Sequence, residues 1–137
     1  MKFKKIITSL LAASMILSSA LPSVFAEEPA AATRGEVVQM LLNAVDDYNP
    51  TVQKTDIIKG YEDGQLHEER AVTRAEALVM LKRAFGELPV PTGHNARVAL
   101  KAGDFTDIPA WAEGELESVF NTGIVAGTAE GVFSPDE

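Results

Sequence analysis

Val72-Thr73-Arg74-Ala75-Glu76, followed by the apolar positions Ala77, Leu78, Leu81, Ala84 and Phe85 and closed by Gly86, decides how this chain folds. Thr73 and Glu76 have the spacing of a capping box. The threonine oxygen accepts from the free N–H of Glu76, and the glutamate accepts from the N–H of Thr73. A helix therefore starts here. Its apolar residues recur at helical spacing, so one face is committed to a core, and Gly86 supplies a left-handed stop. Arg74 is the odd member. A cation in the first turn opposes the helix dipole at roughly 0.3–1 kcal/mol, so stability alone does not select it.

The same pattern occurs earlier as Thr33-Arg34-Gly35-Glu36, with Val37, Val38, Leu41, Ala44 and Val45 behind it, at an offset of 40 (Thr33 to Thr73). A repeat of this length marks a supersecondary unit that buries its apolar face on its neighbours. Each copy places an arginine beside the free N–H groups of a helix N-terminus, which is an anion site. Each guanidinium has a plainer use as well, flat on the surface or paired with a nearby carboxylate. Recurrence at the same disfavoured position points to an anionic ligand.

A second echo runs from Ile58-Lys59-Gly60-Tyr61-Glu62-Asp63-Gly64-Gln65-Leu66 to Val125-Ala126-Gly127-Thr128-Ala129-Glu130-Gly131-Val132-Phe133, at an offset of 67 (Gly60 to Gly127). Since Gly64 precedes Thr73 by nine residues, Gly131 predicts a third capping box near position 140. The expectation is that this sequence ends inside a repeat and that the natural protein continues.

Residues 1–26 read as an export signal. Lys2, Lys4 and Lys5 form the positive end, Ile6 to Leu17 the apolar run, and Val24-Phe25-Ala26 the small-residue cleavage site. Cleavage removes three lysines and no acid, taking the formal charge from −8 to −11 over the remaining 111 residues. Such a balance argues against nucleic acid, because nothing neutralises a row of phosphates. The signal's apolar run is too short to span a bilayer, so no stable membrane insertion is expected after cleavage. Without cysteine there is no disulfide framework and no thiolate site.

The first capped helix is expected from Arg34 to Asp47 or Tyr48, ended by Asn49-Pro50. Thr51 to Ile58 leaves room for a turn or two of helix, and Gly60 to Gly64 is a loop. Leu88 to Gly103 reads as linker or insertion. A third helix opens at Phe105-Thr106-Asp107-Ile108-Pro109-Ala110-Trp111-Ala112, with Asp107 near its cap and Pro109 in its first turn. Ala112, Leu116, Val119 and Phe120 form its stripe, and Gly123 ends it.

Taken together, the stretch Phe105 to Ala112, then Gly123 to Gly127, Gly131-Val132-Phe133-Ser134-Pro135, and Gly60 to Gly64 leading to Val72-Thr73-Arg74-Ala75-Glu76, resembles S-layer homology (SLH) modules over nearly all of residues 32–137. The resemblance implies a mainly α fold: helical repeats forming a pseudo-threefold bundle with glycine-rich loops, the third repeat truncated. The parts are a partial repeat at 27–50, a second repeat at 51–88, a linker at 89–103 and an incomplete repeat at 104–137. It further implies non-covalent anchoring of an exported Gram-positive protein to the cell wall. The expected partner is secondary cell-wall polysaccharide attached to peptidoglycan, often through a pyruvylated amino sugar, with no cofactor. A ketal carboxylate suits a guanidinium beside a helix N-terminus. The ligand role passes to Arg34, Arg74, Trp111, Asp107, Gly127 and Gly131, and the capping role to Thr33, Glu36, Thr73 and Glu76. Trp111 reads equally as a core residue, and Asp107 as a helix cap. Two departures stand out: Gly35 where the family has alanine, and no tryptophan before Gly60, where Tyr61 is the nearest aromatic.

Catalysis finds little support in these residues. His67-Glu68 opens like a zinc-protease pair, but Ala71 stands where the second histidine belongs, so no metal site is expected. His94 stands alone. Asp56, Glu62 and Asp63 do not make a calcium loop. The alternative is that the chain is the front of an exported enzyme whose catalytic domain lies beyond Glu137; the compressed modules resemble those of secreted neprilysin-like zinc metallopeptidases.

Overall fold

The computed structural model describes residues 30–93 and 98–137. The expected export signal at 1–26 and His94 lie outside the described residues. The elements are helix α1 (Arg34–Val45), the short helix α2 (Lys54–Ile57), helix α3 (Arg74–Phe85), a 3-10 turn (Ala102–Asp104) and helix α4 (Ala110–Asn121). Among the described residues there is no strand, only the isolated bridges Thr33 to Ala71 and Ala129 to Val132. The mainly α class therefore holds.

Both capping boxes form. Thr33 N–H donates to Glu36 Oε2 (2.8 Å) and Glu36 N–H to Thr33 Oγ1 (3.2 Å). At α3 the same two bonds are 3.0 and 3.3 Å. Gly86 closes α3 with φ +74°, which only glycine adopts freely. Helix α1 stops at Val45, short of Asp47, because both Tyr48 N–H and Asn49 N–H turn back to the Val45 carbonyl ahead of Pro50.

Helix α3 lies between two cores, which is why its sequence governs the fold. Ala75 and Val79 face α4 with Leu116, Phe120 and Phe133. Met80 and Ala84 face α1 and α2 with Val38, Val45, Ile57 and Ile58. Fully burying a side chain of this size contributes about 1.5–3 kcal/mol, which offsets the weak propensity that Gly114 gives α4. Phe105, Phe120 and Phe133 pack as tilted and edge-on rings with centroids 5.0–5.7 Å apart.

The expected start of α4 needs correction. The helix opens at Ala110 with Pro109 as its cap residue and no side-chain cap. Asp107 reaches across instead, accepting from Phe133 N–H and Ser134 N–H at 2.8 Å each. Two converging amides outcompete one free helix N–H for the carboxylate. Trp111 is 56 % exposed, so it is not a core residue. Among the described residues no helix is long and apolar enough to cross a membrane.

Candidate functional site

The first turns of α1 and α3 sit on equivalent loop seats, and the two offsets read from the sequence, 40 for the helices and 67 for the loops, match bond by bond. Arg34 N–H donates to Arg70 O (2.8 Å), and Arg74 N–H to Glu137 O (2.6 Å). Gly35 N–H donates to Glu68 O (2.9 Å), and Ala75 N–H to Pro135 O (3.0 Å). Arg34 Nη2 donates to Lys59 O at 2.8 Å, and Arg74 Nη2 to Ala126 O at 2.6 Å. Even the strained residues coincide: Gly64 and Gly131 have φ +75° and +69°, and His67 and Ser134, 67 apart, have φ +47° and +59°. A backbone this specific explains Gly35. A Cβ there would lie 3.1 Å from Glu68 Cβ and 3.2 Å from the Glu68 carbonyl oxygen, closer than ordinary contact, so the first seat is tighter than the second, where Ala75 stands.

The helix N-termini are therefore filled by loop carbonyls. Arg34 is only 4 % exposed. Its Nε donates to Leu66 O (3.0 Å) and its Nη1 to Glu76 Oε1 (2.6 Å), and its plane lies 4.7 Å from the Tyr61 ring centre. Tyr61 donates its hydroxyl to the same Glu76 oxygen. Arg74 has a different environment. Its guanidinium lies 4.9 Å from the Phe133 ring centre, its buried Nε has no acceptor, and among the described residues it pairs with no carboxylate.

Between the first seat and α4 is a hollow of about 310 Å³, lined by Arg34, Lys59, Gly60, Tyr61, Glu76, Val79, Met80, Arg83 and Trp111. Its lining mixes apolar side chains (Val79, Met80, Trp111) with polar residues (Arg34, Lys59, Tyr61, Glu76, Arg83). Arg83 is held by a two-pronged bond to Glu115, one prong at 2.8 Å, and by Ile57 O, which locks α4 against α3 beside Trp111. Lys59 spends one ammonium proton on Thr55 O and has two left. The structure thus brings Arg34 and Trp111 to one cavity. Arg74 at the start of α3, Asp107 ahead of α4, and Gly127 and Gly131 of the second loop group around the second seat and do not line it. Lys59, Tyr61 and Arg83 were not singled out as ligands in the sequence; the echo of Ile58–Leu66 in Val125–Phe133 was the available signal for the first two.

The loop behind Tyr61 is charged. His67 Nε2 meets Asp63, and Nδ1 lies 3.3 Å from Glu69. The bond to Asp63, then that to Glu69, raises the imidazole above its ordinary value. The Gln65 N–H, then His67, lowers Asp63. Partial burial, then the bond to Glu76, raises the Tyr61 phenol, which stays neutral and donating.

Comparison with known proteins places a family match on the C-terminal part of the chain. Residues 103–137 match the family model of the S-layer homology domain. Cell surface glycoprotein 1 of Acetivibrio thermocellus is 31 % identical over 80 residues, which cover 58 % of this chain. Middle cell wall protein of Brevibacillus brevis is 28 % identical over 137 residues, covering 96 % of it. The chain spans 3 % and 12 % of the lengths of these two relatives. No solved structure matches it. The matched segment carries α4, the seat of α3 and the Asp107 cradle, and residues 103–137 accordingly belong to the S-layer homology domain family.

Proposed function

We propose that this chain anchors an exported protein to the cell wall without a covalent bond, by taking an acidic secondary cell-wall polysaccharide into the hollow between the first seat, α3 and α4. The observation that carries the reading is one cavity of about 310 Å³ in which the exposed indole of Trp111 shares the lining with Arg34, Lys59, Tyr61 and Arg83. Sugar rings have apolar faces that stack on a flat aromatic surface. A ketal carboxylate, as on a pyruvylated amino sugar, is drawn to the Lys59 ammonium. Arg34 builds the wall, since its Nε, Nη1 and Nη2 already donate to protein acceptors. Asp107, Gly127 and Gly131 shape the second loop. The family match at 103–137 and relatives named for the cell surface and the cell wall support the location. Any catalytic domain carried by the same polypeptide is cargo of this anchor.

Co-sedimentation with purified pyruvylated wall polymer tests it. Trp111→Ala is expected to weaken binding by about 0.5–1.5 kcal/mol, up to about tenfold, while leaving the melting temperature unchanged. Polymer stripped of its ketal should bind less well. Equal binding of stripped polymer, or full binding by the Trp111→Ala protein, refutes the reading.

A further inference from the structure

The two loops differ in how each fastens one matched pair of residues. In the second loop Thr128 and Ser134 are joined hydroxyl to hydroxyl at 2.7 Å, and the nearby acids Glu130 and Asp136 pair with no cation among the described residues. The offset of 67 makes Tyr61, His67, Asp63 and Glu69 their respective counterparts. Here the hydroxyl pair is replaced by a ring pair: His67 meets Tyr61 edge-on, with centroids 5.3 Å apart. The imidazole Nε2 lies 2.5 Å from Asp63 Oδ2, and Nδ1 lies 3.3 Å from Glu69 Oε1. Carboxylates on both ring nitrogens fit only the imidazolium, because a neutral ring has one N–H and turns a lone pair toward the other acid. A titratable cation thus stands where the second loop has an uncharged hydroxyl.

The hollow senses this group through Tyr61, which lines it. The other charges around the ring pair are fixed. Arg34 of α1 and Arg70 lie 4.7 and 5.0 Å from the Tyr61 ring centre, and Glu76 of α3 accepts the Tyr61 hydroxyl. Lys54 of α2 holds Glu68, and Glu62 is the remaining acid of the loop. None of these types ordinarily changes charge between pH 6 and 8, whereas histidine does. We propose that His67, clasped between Asp63 and Glu69, is a proton switch on the affinity of the hollow for its anionic ligand. Protonated, it fastens the loop behind Tyr61 and offsets two of the loop's acids. Deprotonated, it releases one carboxylate, and the loop gains negative charge beside the site of an incoming anion. The inference rests on the glycan reading and adds its regulation: anchoring tightens in acid and loosens in alkali. Asp63, then Glu69, keeps the imidazole above its ordinary value, so the switch turns above pH 6.5.

Two measurements on the full chain test this. Imidazole NMR should show both ring nitrogens of His67 protonated at about pH 6, with the Tyr61 ring signals following the His67 midpoint as pH rises. Co-sedimentation with pyruvylated wall polymer should weaken about threefold or more between about pH 6 and about pH 8.5. His67→Gln should bind at the weaker level throughout, and His94→Gln, at the only other histidine, should keep the dependence. Asp63→Asn removes the larger support of the imidazolium, so it should lower the NMR midpoint and the binding midpoint together. A loop with a purely structural role would not produce that linked shift. Binding that ignores pH, Tyr61 signals that ignore His67, or a binding midpoint that Asp63→Asn leaves in place overturns the proposal while the glycan reading stands. Absence of binding at every pH overturns both.

Discussion

Arg34 Nη1 and Glu76 Oε1 lie 2.6 Å apart, and each belongs to the first turn of a different capped helix. The glutamate serves twice: Oε2 accepts the Thr73 N–H of its own box and Oε1 accepts from the neighbouring unit. One side chain thereby caps the start of its own helix and ties it to the preceding capped helix. The side chains of the pair are 5 % and 12 % exposed, so each charge depends on the other.

Arg34→Ala should therefore cost about 3–5 kcal/mol in urea unfolding at neutral pH, the range for leaving a buried partner charge alone. Arg74→Ala removes a charge-assisted bond to Ala126 but strands no carboxylate among the described residues, and should cost about 1.5–3 kcal/mol. Equal losses would show that the two seats are energetically alike.

Asp107 makes acid a probe of the second loop. The Phe133 N–H does most to hold its carboxyl below 3.8; burial opposes the shift and the Ser134 N–H adds to it. A depressed carboxyl contributes stability that is present above the unfolded value and lost as pH falls through the folded one. The difference in melting temperature between the wild type and Asp107→Asn should be full at pH 6–7 and shrink below about pH 4. A gap that stays constant to pH 3 would assign the role to shape and not to charge.

His67 acts in the opposite direction. Its imidazole is raised above 6.5, chiefly by Asp63 and then by Glu69. A raised base contributes stability fully present below the unfolded value and lost as pH rises through the folded one. Relative to His67→Gln, the wild type should be more stable at pH 6 and lose that advantage at alkaline pH. An advantage that grows with pH would contradict the ion-pair assignment.

Two glycines should respond oppositely to alanine. A Cβ on Gly127 would lie 2.5 Å from the Val132 carbonyl oxygen and 2.8 Å from the Phe105 ring, so Gly127→Ala should destabilise by about 1–3 kcal/mol. Gly114, inside α4, has nothing within 4 Å of that position, and Gly114→Ala should stabilise by about 0.5–1 kcal/mol. Thermal melts of the two variants check both signs.

What the sequence made legible was local or periodic. Thr33, Glu36, Thr73 and Glu76 signal helix starts because a capping box spans only four residues, and the offset of 67 aligned the two loops before any contact was known. The long-range choices were not legible. Glu76 reads as a cap, yet it also binds Arg34, 42 positions away. Asp107 reads as the cap of α4, but its partners lie 26 and 27 positions on. Lys59 and Arg83 enter the hollow through the packing of α3 on α4, which no short pattern encodes.

The loop seats also set an order of events in time. The opening amides of α1, at Arg34 and Gly35, close on carbonyls of Arg70 and Glu68, which leave the ribosome 33 to 36 positions later. The earliest helix is thus finished by residues synthesised well after it, and the cost of closing that gap must be met before the contacts repay it. A nascent chain paused between Val45 and Glu68 would hold an unsealed α1, open to proteases and chaperones, and would be rescued only when synthesis resumes.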